Sequence, residues 1–250
     1  MALTKVIGDG IGAVTGNVGI GEATSANLLH VKASDTGIAP HASAQIVLER
    51  EGTNYLQFLT AEAGTSGVLF GDGSDVDVTQ IKYDHSSTTM SFVTETNTAM
   101  QIDGNGHITK PLQPAFFATA GTQNNISVGS DQLIVFGTEV FDQNSDFDTS
   151  NSTFTAPVTG QYHLSVQGYL KSIDTAASYV QVAIRVTNRS LYWLISGAAL
   201  AADPTYFPIT ISTLVHMDAN DTANVKFNQG SGTAQTDVDN GLYFAGYLVC

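Results

Sequence analysis

The sequence predicts an all-β protein, and three observations predict it. Apolar residues alternate with polar ones in short runs, turn dipeptides are dense, and no stretch repeats its apolar residues at helical spacing. Only 13% of the residues are charged, against about 25% in an ordinary globular protein. Exposed helix faces draw on Glu, Lys and Arg, so that shortage also argues against helices. The 42% of hydrophobic residues are enough for a core, which excludes charge-driven disorder.

Taken in order, the runs Gln45-Ile46-Val47-Leu48-Glu49, Tyr55-Leu56-Gln57-Phe58-Leu59 and Val180-Gln181-Val182-Ala183-Ile184-Arg185-Val186 read as strands. Turns are signalled at Asp9-Gly10, Asp72-Gly73, Asp103-Gly104, Asn105-Gly106 and Asn240-Gly241. Val6 to Gly12, Asn17 to Gly21 and Ile102 to Ile108 share one pattern of tight turns between very short strands, readable as a repeat or as common turn chemistry. Leu194 to Ala202 reads as a strand followed by a loop, with a helical turn as the alternative. Phe154-Thr155-Ala156-Pro157-Val158 is a strand ending at a turn, and Tyr162, Leu164, Val166 and Gly168 alternate inward on the next strand. On the last strand Phe244, Gly246 and Leu248 share one face, and Tyr243, Ala245, Tyr247 and Val249 the other. Apolar residues on both faces predict a strand covered on both sides, by the core and by a second chain.

The boundary falls at Lys110-Pro111-Leu112-Gln113-Pro114, where two prolines break helix and ladder alike. Three segments follow: residues 1–16 with the apolar Leu3, Val6, Ile7 and Ile11, residues 17–110 as a β domain of short strands, and residues 111–250 as a larger β domain.

Charge and motif exclude several functions. Nine Lys and Arg against 23 Asp and Glu, a net charge of −14, disfavour nucleic acid, whose phosphates call for clustered cations. No run approaches the ~18 apolar residues of a membrane helix, and residues 1–21 do not read as a signal peptide. The one cysteine, Cys250, excludes an intrachain disulfide and reads as a strand-end thiol or an interchain bridge. His30, His41, His85, His107, His163 and His216 show no zinc spacing, and the Gly8 to Gly12 and Gly19 to Gly21 phrases lack a phosphate-loop spacing. Asp72, Asp75 and Asp77, or Asp142, Asp146 and Asp148, are the acids a glycan-cleaving enzyme would need as a pair. The second set, with Asn144, also alternates as calcium ligands do, but lacks the glycine and distal Glu of a full calcium loop. The expectation is a protein without enzymatic activity or cofactor, calcium being the one metal entertained. Tyr192, Trp193, Tyr206 and Phe207 are the aromatic candidates for holding a ligand, or alternatively for packing.

Two resemblances span most of the chain. Asn17-Val18-Gly19-Ile20-Gly21, Leu28-Leu29-His30-Val31, Ile81 to Ser86, Met90 to Thr94 and Asn97 to Ile108 fall in an order that resembles bacteriophage tail-fibre and tail-spike proteins. That resemblance implies a trimeric β shaft or a small knob. From Pro114-Ala115-Phe116-Phe117-Ala118, the chain resembles the globular head of complement subcomponent q, a tumour-necrosis-factor-like fold. Phe147-Asp148, Phe154-Thr155, Pro157-Val158, Gly160 and Tyr162 carry the likeness, as does the ending Tyr243 to Val249. It implies a ten-stranded jelly roll assembling as a homotrimer, with Phe116, Tyr162, Phe244 and Tyr247 in core or trimer packing. Together they imply a virion fibre protein on the phage particle. Its partners would be other virion proteins through the N-terminus and a host-surface glycan or protein through the head. A capsid-decorating head fibre, a glycan-depolymerising tail spike and a free trimeric binding module are the alternatives.

Overall fold

A computed structural model describes residues 18–20 and 29–250. The chain divides into two compact units, Met1–Thr60 and Ala61–Cys250. Among the described residues no helix is long and apolar enough to cross a membrane.

In the first unit β1 (Val18–Ile20), β2 (Leu29–Lys32) and β3 (Ile46–Glu49) form a parallel sheet in that order, with Val18 beside Leu29 and Leu29 beside Ile46. Its polar centre is Glu49, which is buried with His30. His30 Nε2 lies 2.8 Å from Glu49 Oε2, and the Thr36 amide and hydroxyl donate to Oε1 at 2.8 and 2.9 Å. The Thr36 amide, more than any other group, holds this carboxyl below its ordinary range. Tyr55 to Leu59, expected as a strand, is exposed chain without a ladder partner. Its alternation signals a need for cover but does not supply a neighbouring edge to pair with.

The second unit opens with a five-stranded antiparallel meander: β4 (Thr65–Phe70), β5 (Thr79–Asp84), β6 (Thr89–Thr94), β7 (Asn97–Ile102) and β8 (Ile108–Thr109). Side chains of acidic turn residues hold its corners. Asp72 Oδ1 accepts from the Ser74 and Asp75 amides, Asp84 Oδ1 from Ser86 and Ser87, and Asp103 Oδ1 from Asn105 and His107. Strand register puts Val68, Ile81, Phe92 and Met100 in one row on one face. Tyr83, Met90, Ile102 and Ile108 form the next row of that face. The other face is largely polar, with Gln80, Lys82, Ser91 and Gln101.

After the prolines the chain forms an antiparallel sandwich of the jelly-roll kind. One sheet is β11 (Thr138–Asp142), β9 (Ala115–Thr119), β19 (Tyr243–Leu248), β14 (Gly160–Lys171) and β17 (Tyr206–Met217), in that spatial order. The other is β12 (Phe147–Asp148), β13 (Thr153–Thr155), β18 (Thr222–Gln229), β15 (Val180–Val186) and β16 (Arg189–Ile195), with the two-residue β10 (Gln132–Leu133) also on β18. The ten expected strands are thus present, with β10 added. At Leu194 to Ala202 both readings share the segment: β16 runs to Ile195, and a single 3-10 turn covers Gly197–Ala199.

Between the sheets Phe116 is the hub, its ring centroid 4.9 Å from those of Phe147, Phe154 and Phe244. Tyr162 is also fully buried, and its hydroxyl donates to the Val158 carbonyl at 2.8 Å, tying β14 to the Pro157 turn. A Cβ on Gly246 would stand 2.7 Å from Phe116, so only glycine lets β19 lie this close to the hub.

Candidate assembly face

The sheet containing β19 is buried on one face only. Its outer face carries Phe117 from β9, Phe141 from β11, and Tyr243, Ala245 and Tyr247 from β19. From β14 come His163, Ser165 and Gln167, and from β17 Ser212 and Leu214. Strand alternation alone dictates this, because the partners of each residue in the ladder share its face. None of these ten side chains is an Asp, Glu, Lys or Arg.

The aromatic groups hold one another. Phe117 stacks on Tyr243 at 5.0 Å and on Phe141 at 6.3 Å, while His163 and Tyr247 meet at 5.1 Å. The polar groups are partnered within the face: Tyr243 Oη donates to Gln167 Oε1 at 3.0 Å, and His163 Nε2 and Ser212 Oγ share a hydrogen bond of 2.9 Å. The result is an aromatic surface whose ten side chains include no Asp, Glu, Lys or Arg. A hollow of about 290 Å³ lies in it, lined by Ala115, Phe141, His163 and Tyr247 among others. Even so, Phe141 is 52% exposed, Tyr247 49% and Leu214 59%. Such a surface can exclude water against a matching one.

The residues singled out from the sequence fall in different places. Phe116, Tyr162 and Phe244 are in the core, while Tyr247 is on the outer face. The four aromatic candidates do not share a site. Tyr192 and Trp193 are neighbours on a strand and therefore point oppositely, as do Tyr206 and Phe207. Trp193 and Phe207 meet at 5.7 Å and pack on the core. Tyr206 packs edge-on against Tyr169 at 5.1 Å, with Lys171 above its ring. On the outer face of the second sheet, Tyr192 lies under the Arg185 guanidinium, whose Nη1 donates to its hydroxyl at 2.8 Å. Arg185 Nη2 also donates to Asp131 Oδ2 at 2.6 Å.

The acidic loop is a set of turns. Asp142 accepts from the Asp146 and Phe147 amides at 3.2 and 2.8 Å. Asp148 accepts from the Ser150 amide and Asn151 Nδ2, each at 2.8 Å. Burial, then the neighbouring Asp142 charge, push the Asp146 carboxyl above its ordinary range, and its Oδ2 is buried without a hydrogen bond. Among the described residues no three His, Cys, Asp or Glu side chains gather where a metal ion would fit. The Asp142 and Asp148 oxygens answer N–H groups of their own loop. Asn144 has a different task. Its Nδ2 donates to the Leu112 carbonyl at 2.7 Å, and Gln143 Nε2 donates to those of Lys110 and Gln113 at 2.8 and 2.6 Å. The proline tether is therefore clamped to the sandwich. Leu3, Val6, Ile7 and Ile11 lie outside the described residues.

Phe117, Phe141 and His163 were not singled out by sequence reasoning. The signal was the adjacent pair Phe116-Phe117, since two consecutive aromatics on a strand must point to opposite faces.

A family model for the C1q domain matches residues 115–249. Among solved structures, the globular domain of zebrafish complement 1qA protein is 17% identical, with a TM-score of 0.41 over 55% of this chain and 98% of that one. A crystal structure of murine APRIL at pH 8.0 is 10% identical, with a TM-score of 0.41 over 55% and 99%; one at pH 8.5 gives 10%, 0.40, 55% and 99%. The curated proteins yield no match.

Proposed function

Because the chain belongs to the C1q domain family through residues 115–249, we propose that it is a homotrimeric, non-enzymatic binding head on a bacteriophage virion fibre. Domains of this kind commonly assemble as homotrimers and are typically binding or structural. The observation that carries the reading is the uncharged aromatic face of the sheet containing β19. Phe141, Tyr247 and Leu214 on it are about half exposed among the described residues, and an equivalent face on two further copies would supply a cover.

The virion part of the proposal is supported by the phrases from Asn17 to Ile108 that resemble tail-fibre proteins. On this reading residues 1–16 dock to other virion proteins through Leu3, Val6, Ile7 and Ile11, residues 17–110 form the fibre section, and residues 111–250 form the head. Three chains of net charge −14 each give −42. Such a charge keeps particles apart and opposes approach to an anionic cell. Attachment to a host glycan or protein then rests on short-range contacts, with several weak heads acting together. The test is gold labelling of the head on purified phage particles, with cell binding measured against salt. Label on particle projections and binding that strengthens with added salt are expected. Unlabelled particles, or binding that weakens with salt, overturn the virion-attachment reading.

A further inference from the structure

Among the ten side chains of the aromatic face, His163 on β14 is the one that gains a charge in weak acid. Its Nε2 shares a hydrogen bond of 2.9 Å with Ser212 Oγ, and its Nδ1 has no partner among the described residues. Across the ladders it faces Tyr247 on β19 and Leu214 on β17. With Ala115 of β9 and Phe141 of β11 it lines one hollow. None of these neighbours brings a charge. The other histidine on this side of β17, His216, has an acid of its own: its Nε2 lies 3.5 Å from Asp218 Oδ1, and its Nδ1 meets Gln161 Nε2 at 3.2 Å. Lys171, at the far end of β14, is paired with Asp239 at 3.2 Å. Glu139 on β11 lies opposite buried Ala118, not opposite Phe117, and the Cys250 carbonyl accepts from the Gln161 amide at 2.8 Å. Among the described residues, ion pairs to histidine involve His30, His107 and His216 and not His163.

We propose that His163 makes the closure of this face pH-dependent: neutral imidazoles are sealed between copies of the chain, and protonation in weak acid opens the assembly while each head stays folded. This inference rests on the trimeric reading of the head given above. The neutral ring can carry its one N–H on Nε2 and donate it to Ser212 Oγ, which leaves no N–H without a partner. An imidazolium carries a second N–H, on Nδ1, and its neighbours on this face offer neither an acceptor for it nor a counter-ion. Water supplies both needs in the separated chain, whereas burial in the closed face penalises the charged form. The separated chain therefore binds the proton more tightly, and by linkage association weakens as pH falls. For an imidazole of ordinary pKa, about 6.5, that can charge only in the separated state, each copy weakens association about tenfold between pH 7.5 and 5.5, and three copies about a thousandfold. The remaining histidines work the other way, because protons on them reduce the net negative charge and its repulsion.

The test is fluorescence-detected sedimentation of the full chain, from picomolar to micromolar concentration, at pH 7.5 and 5.5. Emission from the one tryptophan, Trp193, reports the fold. The expected result is a trimer at pH 7.5 whose dissociation constant rises about a thousandfold at pH 5.5, with the separated chain folded and reassembling on return to pH 7.5. His163→Phe keeps an aromatic ring that takes no proton, and it should associate at pH 5.5 at least as tightly as at pH 7.5. His216→Gln should respond as the parent does. A trimer with the same dissociation constant at both values, an equal rise in His163→Phe, or loss of the fold at pH 5.5 overturns this inference and leaves the head trimer standing. A monomer at pH 7.5 overturns both. His163→Arg reads the same position without a change of pH. It carries its charge at every pH used and is expected as a folded monomer at pH 7.5; a trimer as tight as the parent's contradicts the inference.

Discussion

Phe244 and Tyr247 sit three residues apart on one strand, and replacing each with alanine separates folding from assembly. Phe244 is wholly buried, with neighbouring aromatic rings at 4.9 Å (Phe116), 5.7 Å (Phe136) and 6.0 Å (Phe147). Removing it leaves a cavity at the hub, at a cost of about 3–5 kcal/mol. With an m-value of about 2 kcal/mol/M, the urea midpoint of the single chain falls by about 2 M. Tyr247 is 49% exposed and touches mainly His163. An aromatic side chain buries about 150–250 Å² in full, so roughly 100 Å² of Tyr247 is left for a partner to cover. At about 25 cal/mol per Å² that is about 2.5 kcal/mol per chain and about 7.5 kcal/mol per trimer, or some five powers of ten in trimer dissociation. Its cost to the single chain is under about 1 kcal/mol. The assay is urea unfolding and sedimentation across a wide range of protein concentration. If Tyr247→Ala destabilises the dissociated chain as much as Phe244→Ala, or leaves the concentration dependence of mass unchanged, the two faces are assigned wrongly.

Three further outcomes follow from the same structure. The Asp146 carboxyl is raised by burial and by Asp142, so the folded chain holds that proton more tightly than the unfolded one; its contribution to stability is present at low pH and lost as pH rises through the folded value. Asp146→Asn should therefore raise the urea midpoint relative to the parent at pH 7 and less so at pH 3.5, and equal gains at both would contradict the burial argument. Gly168 has φ of +138° and a Cβ there would stand 2.1 Å from the Gly241 carbonyl oxygen, so Gly168→Ala should cost about 2–5 kcal/mol in denaturant unfolding. Replacing Gln143 and Asn144 together by alanine removes three exposed hydrogen bonds to the tether. Hydrogen exchange over residues 110–114 should rise about tenfold, about 1.4 kcal/mol and within the usual value of such bonds, with the head unchanged.

The strands were legible where the chain supplies both a face to bury and an edge to pair with. Val180 to Val186 is one strand as read, and the opposed faces of Tyr243 to Leu248 follow from alternation alone. Tyr55 to Leu59 has the same alternation and is not a strand, because side-chain pattern reports burial and says nothing of ladder partners. Asp142, Asn144, Asp146 and Asp148 alternate too, but in a loop residues two apart need not point one way. The Asp142 and Asp148 oxygens accept from N–H groups of their own loop and the Asn144 amide donates to the Leu112 carbonyl, uses that composition cannot distinguish from metal binding. Sequence reasoning grouped Tyr192 with Trp193 and Tyr206 with Phe207, although period-two geometry already divides each pair. The assembly face was legible only in part, through Tyr243, Ala245 and Tyr247, since Phe141 and His163 join it through ladders between segments distant in sequence.

The central claim is that the open aromatic face of the head is closed by two further copies of the same chain. Multi-angle light scattering of the full chain at neutral pH, across micromolar concentrations, tests it most directly. A mass of about 79 kDa, three times the 26.3 kDa of one chain, is the expected result. A mass of 26.3 kDa that does not change with concentration would contradict it.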